Sequence, residues 1–384
     1  MIKNIFLKNL LINTFFRAAS AVNRCIPKNH YKILLYANEG FRDNIMYLYR
    51  HIIENGYNKK YQIICACNDY KSHHADEHKN VKFVSTKMGI LHFFTSSAVY
   101  YCFGRIPIVP SKGQAAIQMW HGTSFKGFDQ TMQKTNSHKN QFYTHVFASS
   151  EFFRPIVEKK FACKPSCIYI CGHPRTDCFY HGRKNYNFGS YKKVIIWMPT
   201  FRKSEKLGYA DTDTDNTVPY FHADELPELD EFARKHDVLL IIKFHPMQDI
   251  GSEKFGKFTN IRLYTHKKFV KRYDIYELLK QTDALITDYS SVFYDYLLLD
   301  KPIGFTEDDE EQYASSRGFA ISNPDEFKPG MRICNREDLL KFISDTVSDI
   351  DVYKEKRAKI NNLSNQYQDG RNCERALKAG NISL

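Results

Sequence analysis

The sequence predicts an α/β protein made of two doubly wound parallel-sheet domains. Three observations support this: strand-like apolar runs alternate with helical stretches, the alternation restarts after a polar stretch at 180–193, and 384 residues with 43% hydrophobic content can fill two cores. Two such domains in tandem predict a cleft between them. Ligands of open α/β sheets bind beyond the carboxyl ends of the strands.

The apolar periodicity locates the individual elements. The first half predicts helices at 44–55 and 152–161, and strands at 32–36, 62–66, 81–84, 98–101, 115–119, 145–148 and 167–171. The second half predicts helices at 226–235 and 275–281, and strands at 193–198, 238–244, 261–264, 284–287 and 302–305. We therefore expect one domain over 30–180 and a second, ending in helices, over 190–384.

Net positive charge is confined to the first half of the chain. Residues 1–190 contain 26 Lys and Arg but only 10 Asp and Glu, whereas the remainder contains 29 and 33. A one-sided positive field predicts a polyanionic partner, which could be nucleic acid, an anionic membrane surface or an acidic polymer.

Residues 1–29 carry five basic residues and no acidic one, and their longest uncharged run, 9–16, is too short to span a bilayer. Three interpretations stay open: a basic segment lying on an anionic membrane, a segment packed onto its own domain, and an export signal ending near Ala19-Ser20-Ala21. We adopt the membrane-associating segment as the expectation.

The sequence offers little support for a metal site. The ten cysteines include no Cys-x-x-Cys pair, which favours reduced, mostly buried thiols in a cytoplasmic protein over disulfides or structural zinc. The acidic runs DTDTD (211–215) and DDEE (308–311) are more typical of solvated loops than of metal clamps.

Polar residues follow five of the predicted strands. These exits read QMWHGTSFK (118–126), YICGHPRTD (169–177), WMPTFRK (197–203), IIKFHP (241–246) and LITDYSS (285–291). Arg and Lys suit phosphate charge, hydroxyls and N–H groups suit its orientation, and a neutral His can accept a proton. At the last exit, Ser290 or Ser291 is expected to be the N-cap of a helix, a position that attracts anions.

This combination of motifs resembles the CDP-glycerol glycerophosphotransferase family, the GT-B-fold enzymes that make teichoic acids and related capsular polymers. The motifs are Trp120-His121-Gly122-Thr123 with Lys126, Gly172-His173-Pro174-Arg175-x-Asp177, Pro199-Thr200-x-Arg202, Lys243-x-His245-Pro246 and Thr287-Asp288-Tyr289-Ser290-Ser291. The sequence departs from the family pattern at His173 and at Ser124-Phe125, which are expected near the acceptor side.

The resemblance implies that an acceptor hydroxyl attacks the glycerol-linked phosphorus of CDP-glycerol and that CMP leaves. An attacking alcohol must lose its proton, so His121 is the expected general base. His245 and Asp288 are the other expected catalytic residues, with Asp288 orienting a donor group; no metal site is predicted, and Mg²⁺ is the alternative for Asp288. The expected substrate-binding residues are Gly122, Thr123, Lys126, Arg175, Asp177, Thr200, Arg202, Lys243, Ser290 and Ser291.

The resemblance also implies partners and a location. The acceptor is expected to be a lipid-linked or polyanionic polyol-phosphate chain, and the protein to be cytoplasmic and peripheral on the inner face of the cell membrane. Two alternatives stay open: another GT-B transferase that uses CDP-ribitol or a nucleotide sugar, and, from a different class, a basic nucleic-acid-binding protein.

Overall fold

The structure, a computed structural model, describes residues 14–125, 127, 142–182, 184–199, 218–244, 257–307 and 318–384, and the backbone alone of 203–204 and 209–210. These residues form two compact units. The first consists of the described residues of Met1–Gly122, Thr131–Asp177 and Gln366–Leu384, and the second of those of Thr123–Gln130 and Cys178–Asn365.

The first unit is built on a parallel sheet of seven strands. They are β1 (Asn29–Ala37), β2 (Gln62–Cys67), β3 (Val81–Val84), β4 (Ser96–Tyr101), β5 (Ala115–Gln118), β6 (His145–Ala148) and β7 (Ile168–Ile170). Their order is β3-β2-β1-β4-β5-β6-β7, so the winding reverses between β1 and β4. That reversal is the topological switch point, beside which ligands of such sheets bind.

Helices cover both faces of this sheet. They are Phe15–Cys25, Asn44–Glu54, Thr86–Phe93, Arg154–Phe161 and Asn372–Ala379. The helix Asn44–Glu54 shows why they form where they do: Ile45, Leu48 and Ile52 recur at helical spacing and are fully buried, and the Asp43 carboxylate caps the first turn by accepting from the Asn44 N–H.

The second unit repeats this winding. Its strands are β8 (Lys193–Trp197), β9 (Lys203–Ser204), β10 (Tyr209–Ala210), β11 (Val238–Lys243), β12 (Ile261–Tyr264), β13 (Ala284–Thr287), β14 (Ile303–Thr306) and β15 (Met331–Ile333). The six-stranded parallel sheet has the order β12-β11-β8-β13-β14-β15, while β9 and β10 pair separately and antiparallel. The switch point of this sheet lies between β8 and β13.

The helices of the second unit are mostly short. They are Cys178–His181, Leu226–Lys235, His266–Arg272, Ile275–Leu279, Val292–Tyr296, Arg336–Val347 and Lys354–Ser364. On one side of the sheet the fully buried Trp197, Leu240 and Ile286 share a core with Leu339 and Phe342 of the helix Arg336–Val347. The strands read as continuous apolar runs because they are covered on both faces.

All predicted strands and helices are confirmed, with ends shifted by up to three residues. The predicted fold class, two Rossmann-like doubly wound domains, is confirmed as well. Strand β15 was missed because it is a short edge strand in which only Ile333 is fully buried, so it has no apolar run to detect. The ten cysteines are free thiols in the structure, and seven of them are buried.

The predicted C-terminal boundary is wrong in one part, because Gln366–Leu384 belongs to the first unit and not to the second. Asp177, just after β7, accepts the backbone N–H groups of Asn372 at 2.9 Å and Cys373 at 2.7 Å. Leu377 then packs into the core beneath β1 and β4. The buried Asp177 therefore binds the start of the last helix, which corrects its expected substrate-binding role.

The helix Phe15–Cys25 lies within the basic N-terminal segment, and one of its faces packs onto the first unit. Asn23 is fully buried, and its side-chain amide donates to the Val109 carbonyl at 3.0 Å and to Gln114 Oε1 at 2.9 Å. Lys28 donates to the Phe94 carbonyl at 2.6 Å. Packing onto its own domain, one of the three interpretations of this segment, is therefore correct for these residues.

Asp177→Ala should lower the free energy of unfolding by about 2 kcal/mol, because two buried N–H groups lose a charged acceptor. Urea unfolding and amide exchange at 372–379 measure this, and exchange there should accelerate most. The matched control is Asp369→Ala, which removes a surface partner of Arg375 near the same helix and should cost less than about 1 kcal/mol. Equal losses in the two variants would contradict the assignment.

Candidate active site

His121 lies in a strained turn directly after β5. Trp120 before it has a φ of 59°, and Gly122 after it has a φ of 144°. A non-glycine residue at positive φ costs of order 1–3 kcal/mol and persists only where its surroundings hold it. Here the Trp120 N–H donates to Gln118 Oε1 at 3.0 Å, and the Asn44 side-chain amide donates to the Trp120 carbonyl at 2.7 Å.

Asp43 and Arg175 hold the same turn through an ion pair in which the guanidinium is buried and the carboxylate is 18% exposed. One guanidinium nitrogen of Arg175 lies 2.7 Å from Asp43 Oδ1 and also donates to the His121 carbonyl at 2.8 Å. The Arg175 side chain is only 2% exposed. In the structure Arg175 positions the His121 backbone from inside the first unit. Its expected role in binding a diphosphate stays a prediction.

Sequence reasoning missed Asp43 and Asn44. Asp43 directly precedes the helix Asn44–Glu54, and Asn44 is its first residue. Asp and Asn are common at helix starts, so their positions alone do not indicate a function. In the structure Asn44 also supports the turn: its side-chain nitrogen contacts the Trp120 carbonyl, and its side-chain oxygen accepts from the Arg175 backbone N–H at 3.1 Å. Asp43 itself has a φ of 63°, a further strained position beside the switch point.

The environment of His121 keeps its imidazole neutral at pH 7. Burial lowers the pKa of His121 to about 4, and the nearby Asp43 carboxylate opposes that shift by raising it. Three cations lower it further, namely Lys160, Arg175 and Arg42. Nδ1 of His121 is buried and has no hydrogen-bond partner among the described residues. A neutral ring whose charged form is stabilised by one carboxylate can accept a proton during a reaction.

His173 lies behind this turn and is buried. Its Nδ1 is 3.4 Å from the Asn44 amide nitrogen, and burial lowers the pKa of His173 well below its usual value. Gly172 precedes it in close contact with Asn372: a Cβ at Gly172 would come within 2.5 Å of the Asn372 side-chain oxygen. The His173 side chain, which is the departure from the family pattern, therefore lies inside the first unit against Asn44.

In the second unit, several predicted residues lie at the carboxyl edge of the sheet. Lys243 is the last residue of β11 and Asp288 follows β13, while β8 lies between these two strands. Ser290 and Ser291 follow in the same loop as Asp288. All three strands are parallel, so their exits share one edge, beside the switch point.

Ser291 is the N-cap of the five-residue helix Val292–Tyr296, as predicted, but its side chain makes no capping hydrogen bond. The nearest contact is long: Ser290 Oγ accepts from the Val292 N–H at 3.5 Å. Asp288 is 1% exposed. The two serines therefore lie at the predicted helix start, but the Ser291 side chain does not cap the helix.

Tyr289 in this loop is held by a buried ion pair that sequence reasoning missed. Lys328 Nζ lies 2.7 Å from Glu307 Oε1, with both side chains at most 2% exposed. The same ammonium group lies 5.9 Å from the centre of the Tyr289 ring and 5.7 Å from that of Phe319. Glu307 directly follows β14, so the pair connects neighbouring strand exits.

The unit boundary falls inside the motif that follows β5. Gly122 belongs to the first unit and the buried Thr123 to the second. Phe125 is also in the second unit, in edge-to-face contact with Phe293 and Phe319 at centroid distances of 5.1 and 5.2 Å. The Ser124-Phe125 departure was expected on the acceptor side; its aromatic residue is instead part of this packing.

Four predicted site residues lie outside the described residues: Lys126, Thr200, Arg202 and His245. The acidic runs at 211–215 and 308–311 lie outside them too. Within the described part of the chain, no group of three or more His, Cys, Asp or Glu could hold a metal ion. For Asp288, the expected role in orienting a donor group and the Mg²⁺ alternative both stay predictions.

Two Rossmann-like units, each with polar strand exits beside its switch point, define a protein of the GT-B class. A solved structure of the wall teichoic acid polymerase TagF, soaked with CDPG, shares this fold with a TM-score of 0.71 and 20% identity, over 99% of this chain and 95% of that one. The chain belongs to the CDP-glycerol:poly(glycerophosphate) glycerophosphotransferase family, whose model matches residues 18–379.

Relatives in Staphylococcus aureus are named for different polyols. The chain is 28% identical to the teichoic acid ribitol-phosphate polymerase TarK over 286 residues, covering 69% of this chain and 52% of that protein. It is 25% identical to a teichoic acid glycerol-phosphate transferase over 384 residues, covering 91% and 92%. The chain thus spans about half the length of TarK and nearly all of the transferase.

The His121 ring should titrate with a pKa near 4, against about 6.5 in an unfolded chain. NMR of the ring protons from pH 8 to below pH 4, assigned with His121→Gln, measures it. Asp43→Asn should lower this pKa further, because the carboxylate is the group that favours the charged ring. A His121 pKa above 6 in the native protein, or an upward shift in Asp43→Asn, would contradict the electrostatic account.

Proposed function

We propose that this protein transfers glycerol phosphate from CDP-glycerol to a hydroxyl of a lipid-linked or polymeric acceptor, with release of CMP, in the synthesis of a teichoic-acid-like or capsular polymer. Membership of the glycerophosphotransferase family supports the reaction class. The observation that carries the assignment of residues is the neutral His121 in a strained turn held by Asp43 and Arg175.

The chemistry requires one proton transfer. The acceptor oxygen forms a new bond to the glycerol-linked phosphorus while the bond from that phosphorus to the CMP oxygen breaks, and the acceptor proton passes to His121. The imidazolium that forms is stabilised by Asp43, whose charge favours it. CMP leaves as a phosphate anion, so the leaving group needs neutralisation of charge more than protonation.

The donor is assigned to the carboxyl edge of the second sheet. Lys243 supplies positive charge there, and the hydroxyls of Ser290 and Ser291 can donate to phosphate oxygens. Asp288, buried at the same edge, is proposed to orient a donor group. Arg202, Thr200 and His245 complete this set in the proposal. The CDPG soaked into the structure of TagF supports a cytidine diphosphate donor.

CDP-ribitol is the second candidate donor, because relatives of comparable identity include both ribitol-phosphate and glycerol-phosphate enzymes. Incubation of the protein with CDP-glycerol, CDP-ribitol and common nucleotide sugars in turn, followed by measurement of released nucleotide, separates the candidates. CMP release with CDP-glycerol, and no nucleotide release with the other donors, supports the proposal. Release from CDP-ribitol alone would replace it with the second candidate.

His121→Gln should lower turnover by about a hundredfold or more and leave the affinity for CDP-glycerol nearly unchanged, which is the usual scale of lost acid–base catalysis. Initial rates of CMP release and calorimetric titration with CDP-glycerol measure the two quantities. His181→Gln, at an exposed histidine of the second unit, is the control. Turnover of His121→Gln within a few-fold of the unchanged protein would remove the proposed base.

We further propose that the N-terminal helix attaches the protein to an anionic membrane surface. Opposite its packed face, Phe15 and Val22 are 61% and 53% exposed, and Arg17 and Arg24 are exposed beside them. Basic residues near an anionic surface contribute about 1 kcal/mol each. Among the described residues, no helix is long and apolar enough to cross a membrane.

The exposed face can be changed without touching the buried Asn23. Phe15→Ser with Val22→Ser, and separately Arg17→Gln with Arg24→Gln, should each reduce sedimentation with anionic liposomes several-fold, and added salt should weaken attachment of the unchanged protein. Val352→Ser is the control, because Val352 is an exposed apolar residue of the second unit. Unchanged sedimentation of both double variants would place the attachment surface elsewhere.

A further inference from the structure

The chain segment that leaves the His121 turn is anchored in the second unit. The Ala320 N–H donates to the Phe125 carbonyl at 2.9 Å, and the Gly127 N–H donates to the Gly318 carbonyl at 2.8 Å. These two backbone hydrogen bonds fix the direction of the segment. The Phe125 side chain is only 1% exposed, so the segment places an aromatic ring in the interior of the second unit.

The Phe125 ring packs against the helix that follows the loop proposed to bind the donor. We call residues 288–291, which connect β13 to the helix Val292–Tyr296, the donor loop. The Phe125 ring is edge-to-face with Phe293, at a centroid distance of 5.1 Å and an angle of 89°, and with Tyr294, at 6.0 Å and 72°. Both partners are fully buried. The contact therefore begins where the donor loop ends.

A second series of contacts connects Phe125 to the centre of the donor loop. The Phe319 ring lies 5.2 Å from the Phe125 ring at an angle of 60°, and 5.9 Å from the Tyr289 ring at an angle of 62°. Aromatic pairs with this spacing and tilt attract each other beyond the effect of buried area. Tyr289 is fully buried, so its ring is confined by these neighbours. One ring, Phe125, thus supports the donor loop both at its centre and at its end.

The donor loop depends on this packing because the helix after it does little to fix its own start. The helix Val292–Tyr296 has only five residues, and its N-cap Ser291 makes no side-chain capping hydrogen bond. A helix this short is not stable by itself, and an uncapped first turn lacks one of its usual constraints. The conformation of the donor loop is therefore set mainly by tertiary contacts, of which those to Phe125 are a part.

From these contacts we infer that Phe125 is a positioning residue of the donor site, which holds the donor loop in the conformation that binds the diphosphate. The inference rests on the proposed function, in which Ser290 and Ser291 donate to phosphate oxygens. Phe125 is also a position at which the sequence departs from the family pattern. A loop that adopts its binding conformation one-tenth of the time binds its ligand about tenfold more weakly, so Phe125 acts on the affinity for the donor.

The alternative is that Phe125 only anchors the segment that leaves the His121 turn. Its loss would then disturb His121, lower kcat and leave the affinity for the donor unchanged. The positioning role requires the opposite pattern, because Asp43 and Arg175 hold the His121 turn from within the first unit, independently of Phe125. The division of the effect between KM and kcat therefore separates the two roles.

The test uses the full chain, CDP as the binding probe and initial rates of CMP release from CDP-glycerol. Phe125→Ala should raise Kd for CDP and KM for CDP-glycerol about tenfold each, with kcat at saturating donor within about threefold. Phe319→Ala should give the same pattern. The loss of CDP affinity in the double variant should be smaller than the product of the two single losses, because both rings act partly through the same contact.

The chain offers matched controls. Phe342 is 4% exposed and lies on the other face of the same sheet: a Cβ at Gly304 would meet its ring at 3.4 Å, whereas the next residue, Phe305, contacts Phe293. Phe342→Ala removes an equal ring from the core and should leave CDP affinity within about twofold. Phe125→Leu keeps a bulky apolar side chain and should restore most of the affinity. Should Phe125→Ala fail to fold, Phe319→Ala decides, because Phe319 is only half-buried.

Amide exchange of the ligand-free protein keeps this result separate from the proposed function. Exchange at 288–292 should be about tenfold faster in Phe125→Ala and in Phe319→Ala than in the unchanged protein, and within about twofold in Phe342→Ala. If the unchanged protein binds no CDP but exchange follows this pattern, the proposed donor site fails and Phe125 still positions the loop. Unchanged exchange at 288–292 in both variants, or an equal loss of CDP affinity in Phe342→Ala, would overturn the inference.

Discussion

The ion pair between Asp43 and the buried Arg175 is the interaction on which the candidate active site depends. It connects the loop after β1 to a residue after β7, and its guanidinium reaches the backbone carbonyl of His121. A buried ion pair is costly to desolvate and adds little net stability, but removal of one partner leaves an unpaired buried charge. Such a pair is therefore suited to hold a strained turn in one conformation.

The same carboxylate links structure to reactivity. Asp43 opposes the burial that keeps His121 neutral, so the group that anchors the turn also stabilises the charged form of the ring. Arg175 affects both the anchoring of the turn and the charge of the ring, because it neutralises part of the Asp43 charge while it binds the His121 carbonyl. A change at either residue would alter both the geometry and the proton affinity of His121.

The second unit also has an ion pair at the edge of its sheet. Lys328 and Glu307 are almost completely buried, and the ammonium group lies under the rings of Tyr289 and Phe319. Tyr289 is the residue between Asp288 and Ser290, so the loop proposed to bind the donor is held through its central side chain. Both units thus position polar loops with charges that are satisfied inside the protein.

The fold class, most strand positions, several helix positions and the motifs at the strand exits could be read from the sequence, because apolar periodicity and turn residues act locally along the chain. Tertiary structure was needed to show that Gln366–Leu384 returns to the first unit, that Asp177 binds the start of its helix, and that Arg175 donates to the backbone carbonyl of His121. The sequence of a motif does not indicate whether its Arg or Asp is exposed or buried in the folded protein. The partners of Arg175 and Asp177 lie far away along the chain, and only folding brings them together.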